Sequence, residues 1–315
     1  MLLLIKYTLL YSAVLTLVAL GGMFSERSGI INIALEGIMT IGGLIGIVMI
    51  NIMNNAGAPV ALGVAVAILA AGVAGLIYST LLAFSAINLK ADQTIGGTAL
   101  NLLATAIAMV VAKRINGTDS PKLVYNTNRN LVLNNQSFTF KVGGLELNWF
   151  ILVCVAAIAV AWFILYRTRF GMRLMACGEH PQAAASVGVN VYKMRWAGVL
   201  MSGLLGGIGG MAYIVPAVGD WNFEMGVAGM GFLALAVMIF GQWKPMRIAA
   251  AAVFFAIFRA MANIFDSVGF LAALNLPKEV YNMMPFVASM IVLAFTSRKS
   301  RAPKAEGIPY DKGSR

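Results

Sequence analysis

The chain has 315 residues, of which 60% are hydrophobic and only 11% are charged. A typical soluble domain carries roughly 25% charged residues, so this composition excludes a disordered chain, a coiled coil and an ordinary soluble enzyme. The net charge of +11 would suggest nucleic-acid binding in a soluble protein, but cytoplasmic loops of membrane proteins also collect Lys and Arg. The composition therefore predicts an all-α, polytopic bundle of transmembrane helices.

Nine apolar runs follow one another along the whole chain, and a bilayer-spanning helix needs about 20 such residues. The runs cover residues 1–24, 30–52, 59–87, 94–112, 148–166, 196–217, 227–243, 248–265 and 280–296. The first run contains one charged residue, Lys6. In the later runs, only Glu36 and Arg259 are charged. We expect eight to ten spans in one membrane domain, 1–297, followed by a basic cytosolic tail, 298–315.

Basic residues in the loops predict the orientation. With nine spans and the tail in the cytoplasm, 15 of the 23 basic residues lie inside and 7 outside, and Arg259 lies in a span. The loop 113–147 is then extracytoplasmic and the loop 167–195 cytosolic. Alternation from Ser137 to Val142, followed by two glycines, is typical of a short β-hairpin. An irregular cap is the alternative structure.

Glu36 is the first residue of possible functional interest, because a charge inside the membrane is costly and indicates function by default. Gly37 follows it, and glycine beside a charge indicates a broken or closely packed helix. One interpretation makes Glu36 an element of a translocation pathway. The other makes it a buried clamp, paired with a backbone donor or with Arg259. No second acid or nucleophile at useful spacing supports a catalytic carboxylate.

A glycine-rich run follows at residues 202–210. A phosphate-binding loop would end in Gly-Lys-Ser or Gly-Lys-Thr, yet no lysine occurs between Lys193 and Lys244. The run lies in the middle of an apolar stretch instead. Small residues four apart, such as Gly206 and Gly210, let helix backbones approach closely. These two glycines and Gly203 of the same run are predicted to mediate helix packing.

The basic loop 167–195 contains the punctuation of a short helix. Pro181 suits the first helical position and Gly188 the residue past the end. Seven residues give about 10 Å of helix, which is marginal in water without a partner. Docking on a soluble partner is favoured over lying on the membrane, because the apolar side is small. His180 and the two cysteines form no metal-ligand cluster, and no nucleotide site is recognisable.

Short segments along the chain together match the pattern of a known family. They are 25–29, 32, 35–37, 91–93, 99–103, 178–184, 231–236, 239–241, 301–303 and 307–313. These segments resemble the permease subunits of bacterial ABC importers, in the branch for simple sugars and nucleosides, which is related more distantly to ribose and branched-chain amino acid permeases. The resemblance covers nearly the whole chain, and segment 25–29 together with the tail is specific to the branch.

The resemblance implies a multi-pass protein of the bacterial plasma membrane that transports and is not an enzyme. Separate ATP-binding cassette subunits would use the ATP, and this chain would bind no cofactor. A second permease, identical or homologous, would complete the pore, and an extracytoplasmic lipoprotein would deliver the substrate. The short helix would then be the coupling helix, contacting the ATPase through residues Gly178, Glu179, His180, Pro181, Ala184 and Gly188.

The cargo is expected to be a nucleoside, with a simple sugar as the alternative. An ion-coupled secondary transporter would need further intramembrane acids and often inverted repeats. A nucleoside site needs hydrogen-bonding groups and aromatic faces, and the candidates are Asn32, Glu36, Asn101, Trp221 and Phe232. The asparagines could instead join helices, and the aromatic side chains could face lipid or the interface.

Overall fold

The computed structural model describes residues 2–124, 135–142, 145–217, 220–265, 277–296 and 302–313. These parts of the chain contain eleven α-helices and two small antiparallel sheets. The helices are α1 (Leu2–Arg27), α2 (Leu35–Asn55), α3 (Val60–Ala83), α4 (Gln93–Asn116), α5 (Trp149–Arg167), α6 (Arg169–Glu179), α7 (Pro181–Ser186), α8 (Val191–Ala217), α9 (Met230–Phe240), α10 (Pro245–Asn263) and α11 (Lys278–Thr296). A π-helical turn, Phe84–Asn88, extends α3.

Seven of the described helices are long and apolar enough to cross a membrane, namely α1 to α5, α8 and α10. The predicted all-α, polytopic class is therefore confirmed. The expected full span over residues 227–243 is wrong, because α9 has only 11 residues. At 1.5 Å per residue it is about 16 Å long, roughly half of the hydrocarbon core. α11 is not among these seven helices. It has 19 residues and begins with two charged ones, Lys278 and Glu279.

α8 lies at the centre of the bundle and packs against α1, α2 and α3. Its glycines permit this approach. A Cβ on Gly203 would meet the carbonyl oxygen of Gly75 in α3, and a Cβ on Gly210 would meet that of Met39 in α2. A Cβ on Gly206 would lie 2.9 Å from an Ile38 methyl carbon. Larger side chains here would have to push backbones apart, since interiors are close-packed.

Two short strand pairs mark one end of the bundle, which we call the hairpin end. β2 (Thr139–Val142) pairs with β3 (Leu145–Asn148) as a hairpin, the structure that the alternation predicted. β1 (Lys122–Val124) pairs with β4 (Asp220–Asn222), which the sequence did not indicate. The Nζ of Lys6 lies 2.6 Å from Glu146, so α1 begins at the hairpin end. It ends beside α6 at the opposite end, the loop end.

Candidate translocation site and coupling loop

The chain is not helical between α1 and α2, at residues 28–34, which we call the unwound segment. Within a membrane, free backbone groups are costly unless other protein groups bind them. The backbone N–H of Ile31 donates to the side-chain oxygen of Gln93 at 2.7 Å. Gln93 is itself buried, at the start of α4. α4 therefore supplies the polar partners that the broken helix lacks.

Asn101 lies about two helical turns further along α4, and its side chain makes two more hydrogen bonds to backbone groups. Its Nδ2 donates to the carbonyl of Ile33 at 3.0 Å, and its Oδ1 accepts from the backbone N–H of Gly37 at 2.7 Å. The side chain thus joins α4 to the beginning of α2. Asn32 bonds elsewhere, because its Nδ2 donates to the hydroxyl of Ser202 in α8 at 2.7 Å.

Glu36 binds the N-terminus of the half-length helix α9. Its two carboxylate oxygens accept from the backbone N–H groups of Gly229 and Gly231, each at 2.7 Å. The first N–H groups of a helix have no partner within it, and the helix dipole favours an anion there. A Cβ on Gly231 would lie 2.5 Å from the nitrogen of Glu36, so only glycine allows this approach. Arg259 instead donates to the Tyr213 hydroxyl at 2.8 Å.

A cavity of about 560 Å³, open along one side, lies where Glu36, Asn101 and Phe232 meet. This volume is within the range of small-molecule sites, roughly 300–1,000 Å³. Its wall combines polar and apolar side chains, so it can hold a ligand that is polar on one side and flat on the other. The lining residues are Glu36, Thr98, Asn101, Leu102, Thr105, Ala106, Met109, Glu224, Met225, Gly226 and Phe232.

Trp221 does not line this cavity but supports its wall. The indole N–H donates to the carbonyl of Gly226 at 2.8 Å, and the ring packs edge-on against Tyr213. Sequence reasoning missed Thr98, Thr105 and Glu224. The threonines could have been found, because residues three and four apart share a helix face and they flank Asn101 at those spacings.

The other end of α9 is bonded to the end of α1. Trp243, just after α9, donates its indole N–H to a carboxylate oxygen of Glu26 at 2.6 Å. The guanidinium of Arg27 donates to the carbonyl of Trp243 at 3.0 Å. Glu26 and Glu36, on either side of the unwound segment, therefore hold the two ends of one short helix.

The loop 167–195 forms two helices, α6 and α7, at the loop end. Thr168 caps α6 by accepting from the backbone N–H of Gly171 at 3.2 Å. Pro181 occupies the start of α7, and Gly188, at φ +85°, lies just past its end. A Cβ on Gly178 would meet the carbonyl oxygen of Arg27. The end of α6 is therefore packed directly against the end of α1.

The residues predicted to couple to an ATPase differ in exposure. Ala184 is only 4% exposed and belongs to a cluster with Cys177, Val191 and Tyr310, so its side chain faces the protein. His180 is exposed and Glu179 is half-buried. The outward surface of α7 and the following turn consists of Gln182, Ala183, Ser186 and Val187. A partner would therefore meet these side chains rather than Ala184.

A bundle of membrane spans with a broken helix, a half-length helix and a cavity between them has the architecture of a transport protein. Residues 4–294 match the family described as branched-chain amino acid transport system / permease component. The chain belongs to this permease family, and it is a multi-pass membrane protein with a transport role rather than an enzyme.

Among curated proteins, the chain is 38% identical to the guanosine ABC transporter permease protein NupQ of Bacillus subtilis, over 98% of this chain and 96% of that one. It is 36% identical to the nucleoside ABC transporter permease protein NupC of Lactococcus lactis, over 96% and 95%. A putative glucose ABC transporter permease protein of Haloferax volcanii is 31% identical over 82% and 76%. All three relatives carry the name of an ABC transporter permease.

Proposed function

We propose that this chain is a membrane-spanning subunit of an ATP-driven nucleoside importer that works by alternating access. The observation that carries the proposal is the similarity to a guanosine permease and a nucleoside permease over at least 96% of this chain. The relative named for glucose is less similar and covers less of the chain. A nucleoside is therefore the first cargo to test and a simple sugar the second.

The cavity has chemistry that suits a nucleoside. The side chain of Phe232 is 46% exposed at its wall, and an aromatic face stacks on a flat base. The hydroxyls of Thr98 and Thr105 and the carboxylate of Glu224 lie in the same wall and can bond ribose hydroxyls. Glu36 and Asn101 already bind backbone groups, so their first task is to hold the wall.

α4 supplies six of the residues that line the open cavity, and the same helix exposes Ile95, Leu102 and Val110 by 67–76%. A second permease, identical or homologous, seated on this side would close the pathway. The hairpin end would face an extracytoplasmic binding lipoprotein, and this chain itself would bind no cofactor.

The loop end would face the cytoplasm of a bacterium, with the C-terminus on that side of the plasma membrane, as the excess of basic residues predicts. α7 would be the coupling helix, seated on an ATP-binding cassette subunit that binds and hydrolyses the ATP. Gly178, Pro181 and Gly188 would set its position, and Ala183 and Val187 would meet the partner. Both side chains are exposed in the single chain.

The test is uptake of labelled guanosine and labelled glucose into vesicles that contain this chain with its neighbouring permease, ATPase and binding protein. Thr98→Val removes a hydroxyl from the cavity, and Thr94→Val removes one from the same helix outside it. Phe232→Ala removes the aromatic face, and Phe163→Ala, on the exposed face of α5, is its control. We expect the cavity variants alone to raise the KM for guanosine.

The expected wild-type result is guanosine uptake that requires ATP. Uptake that follows an ion gradient without ATP would contradict the importer class. ATP-dependent uptake of glucose but not guanosine would keep the mechanism and replace the cargo. Equal effects of Thr98→Val and Thr94→Val would place the cargo outside this cavity.

A further inference from the structure

The segment 302–313 near the C-terminus lies against the loop end, and we call it the strap. The backbone N–H of Ala305 donates to the carbonyl of Gly178 at 2.8 Å. Two residues later, the backbone N–H of Gly307 donates to the carbonyl of Gly29 at 3.2 Å. The strap thus bonds both to the end of α6, next to α7, and to the beginning of the unwound segment.

Buried side chains hold the strap in this position. Arg195 in α8 is 1% exposed, and its Nη1 donates to the carbonyl of Ile308 at 2.9 Å. A bond from a charged donor is stronger than a neutral one, and a buried charge that loses an acceptor is costly. Tyr310 packs edge-on against Tyr192, with ring centroids 5.3 Å apart. The strap is therefore integral to the fold at this end.

An acid pair lies at the middle of the strap. The side chain of Glu306 is hydrogen-bonded to that of Glu26, which also accepts from Trp243. Two carboxyl groups can share a hydrogen bond only when one of them carries a proton. Burial raises the pKa of Glu306, and its bond with Glu26 offsets part of that rise.

We propose that the strap is a transmission element. It joins the loop 167–195, which contains α7, to the unwound segment, so that movement of α7 reaches the cavity. The inference rests on the proposed function. From Gly29 the route continues through the unwound segment, whose Ile33 carbonyl is held by Asn101, to Glu36 at the start of α2. Arg195 and Glu306 are positioning residues in this scheme, since neither touches the cavity.

The strap can be displaced by one substitution with a matched control. Gly307 has φ +76°, and a Cβ there would lie 2.8 Å from the Cδ1 of Ile31, so Gly307→Val is opposed by both backbone strain and contact. Gly313→Val changes the same tail, but a Cβ at Gly313 would have only Asp311 nearby, at 3.9 Å. Tyr310→Ala loosens the strap without backbone strain and serves if Gly307→Val fails to assemble.

A native thiol reports whether the strap is docked. Cys177 is fully buried in the cluster that includes Tyr310, and burial raises the pKa of its thiol to about 11. The chain has two cysteines, so Cys154→Ala leaves Cys177 as the single target for a polar maleimide. Labelling should be slow with the strap docked and fast with Gly307→Val or Tyr310→Ala.

The decisive measurement is guanosine taken up per ATP hydrolysed in the reconstituted complex, together with basal ATP hydrolysis and Cys177 labelling. For assembled Gly307→Val or Tyr310→Ala we expect faster labelling, unchanged basal hydrolysis and a fall in the ratio of at least about fivefold. Gly313→Val should match wild type. Faster labelling with a wild-type ratio would overturn the proposal, and so would a lower ratio with Cys177 still protected. A wild-type complex without ATP-dependent guanosine uptake would instead refute the proposed cargo or class.

Discussion

Replacement of Glu36 by glutamine separates the two roles considered for this residue. The carboxylate accepts from two backbone N–H groups, those of Gly229 and Gly231, each at 2.7 Å. An amide can offer its oxygen to only one of them, and its NH2 group would then face the other N–H donor. The start of α9 would lose one charge-assisted hydrogen bond and leave a buried donor unpaired. Together these losses amount to about 2–6 kcal/mol.

The assay is the thermal unfolding midpoint of the purified chain in lipid nanodiscs, measured for Glu36→Gln beside Glu224→Gln. Both carboxylates line the same cavity, but Glu224 lies exposed in the 3-10 turn Phe223–Met225. Its substitution should change stability by less than about 0.5 kcal/mol. We expect a much lower midpoint for Glu36→Gln. Equal midpoints, combined with a raised KM for the cargo, would refute the clamp and make Glu36 a substrate ligand.

Three further predictions follow from burial and contacts. Ala183→Arg should abolish ATP-dependent uptake with a normal thermal midpoint, whereas Ala184→Arg should lower the midpoint itself, because only Ala184 is buried. Gly210→Ala should reduce the free energy of unfolding by about 1–3 kcal/mol and so lower the thermal midpoint. Gly96→Ala should leave the midpoint unchanged, since its Cβ would meet only Ser85 at an ordinary 3.5 Å. Because burial raises the pKa of Glu306, the contribution of this group to stability is full below its ordinary pKa of 4.5 and is lost as the pH rises through the raised pKa. The midpoint of wild type relative to Glu306→Gln should therefore fall as the pH is raised.

The spans could be predicted because the transfer of apolar residues into a bilayer depends on composition and length alone. The half-length helix could not, since residues 227–243 are as apolar as their neighbours. α9 begins only at Met230, after a turn at Gly229 whose backbone N–H finds its acceptor in Glu36, 193 residues earlier in the chain. Hydropathy cannot distinguish a helix from a buried turn that a distant side chain satisfies.

The sequence also predicted the candidate site only in part: three of the five candidate residues line the cavity. Glu36, Asn101 and Phe232 meet in one cavity, because polar groups inside a membrane must find polar partners and so collect where helices break. Asn32 and Trp221 also carry hydrogen-bonding groups but bond to Ser202 and Gly226. Asn32 lies in the unwound segment and Trp221 in β4, where helix periodicity does not predict the direction of a side chain. The docking of the strap gave no periodic signal, because a short extended segment binds through its backbone groups.

The positions of Glu26 and Glu36 give two buried acids complementary roles at the ends of one helix. One holds the beginning of α9 through the N–H groups of Gly229 and Gly231, and the other holds its end through Trp243. Both acids flank the same unwound segment. Backbone groups of this segment bond to side chains of α4, because the segment is not helical. A displacement of this connection would therefore carry α9 with it as a rigid body, whereas α4 could exchange partners. Such a unit can change the shape of the cavity wall without unfolding any helix, which is what alternating access requires.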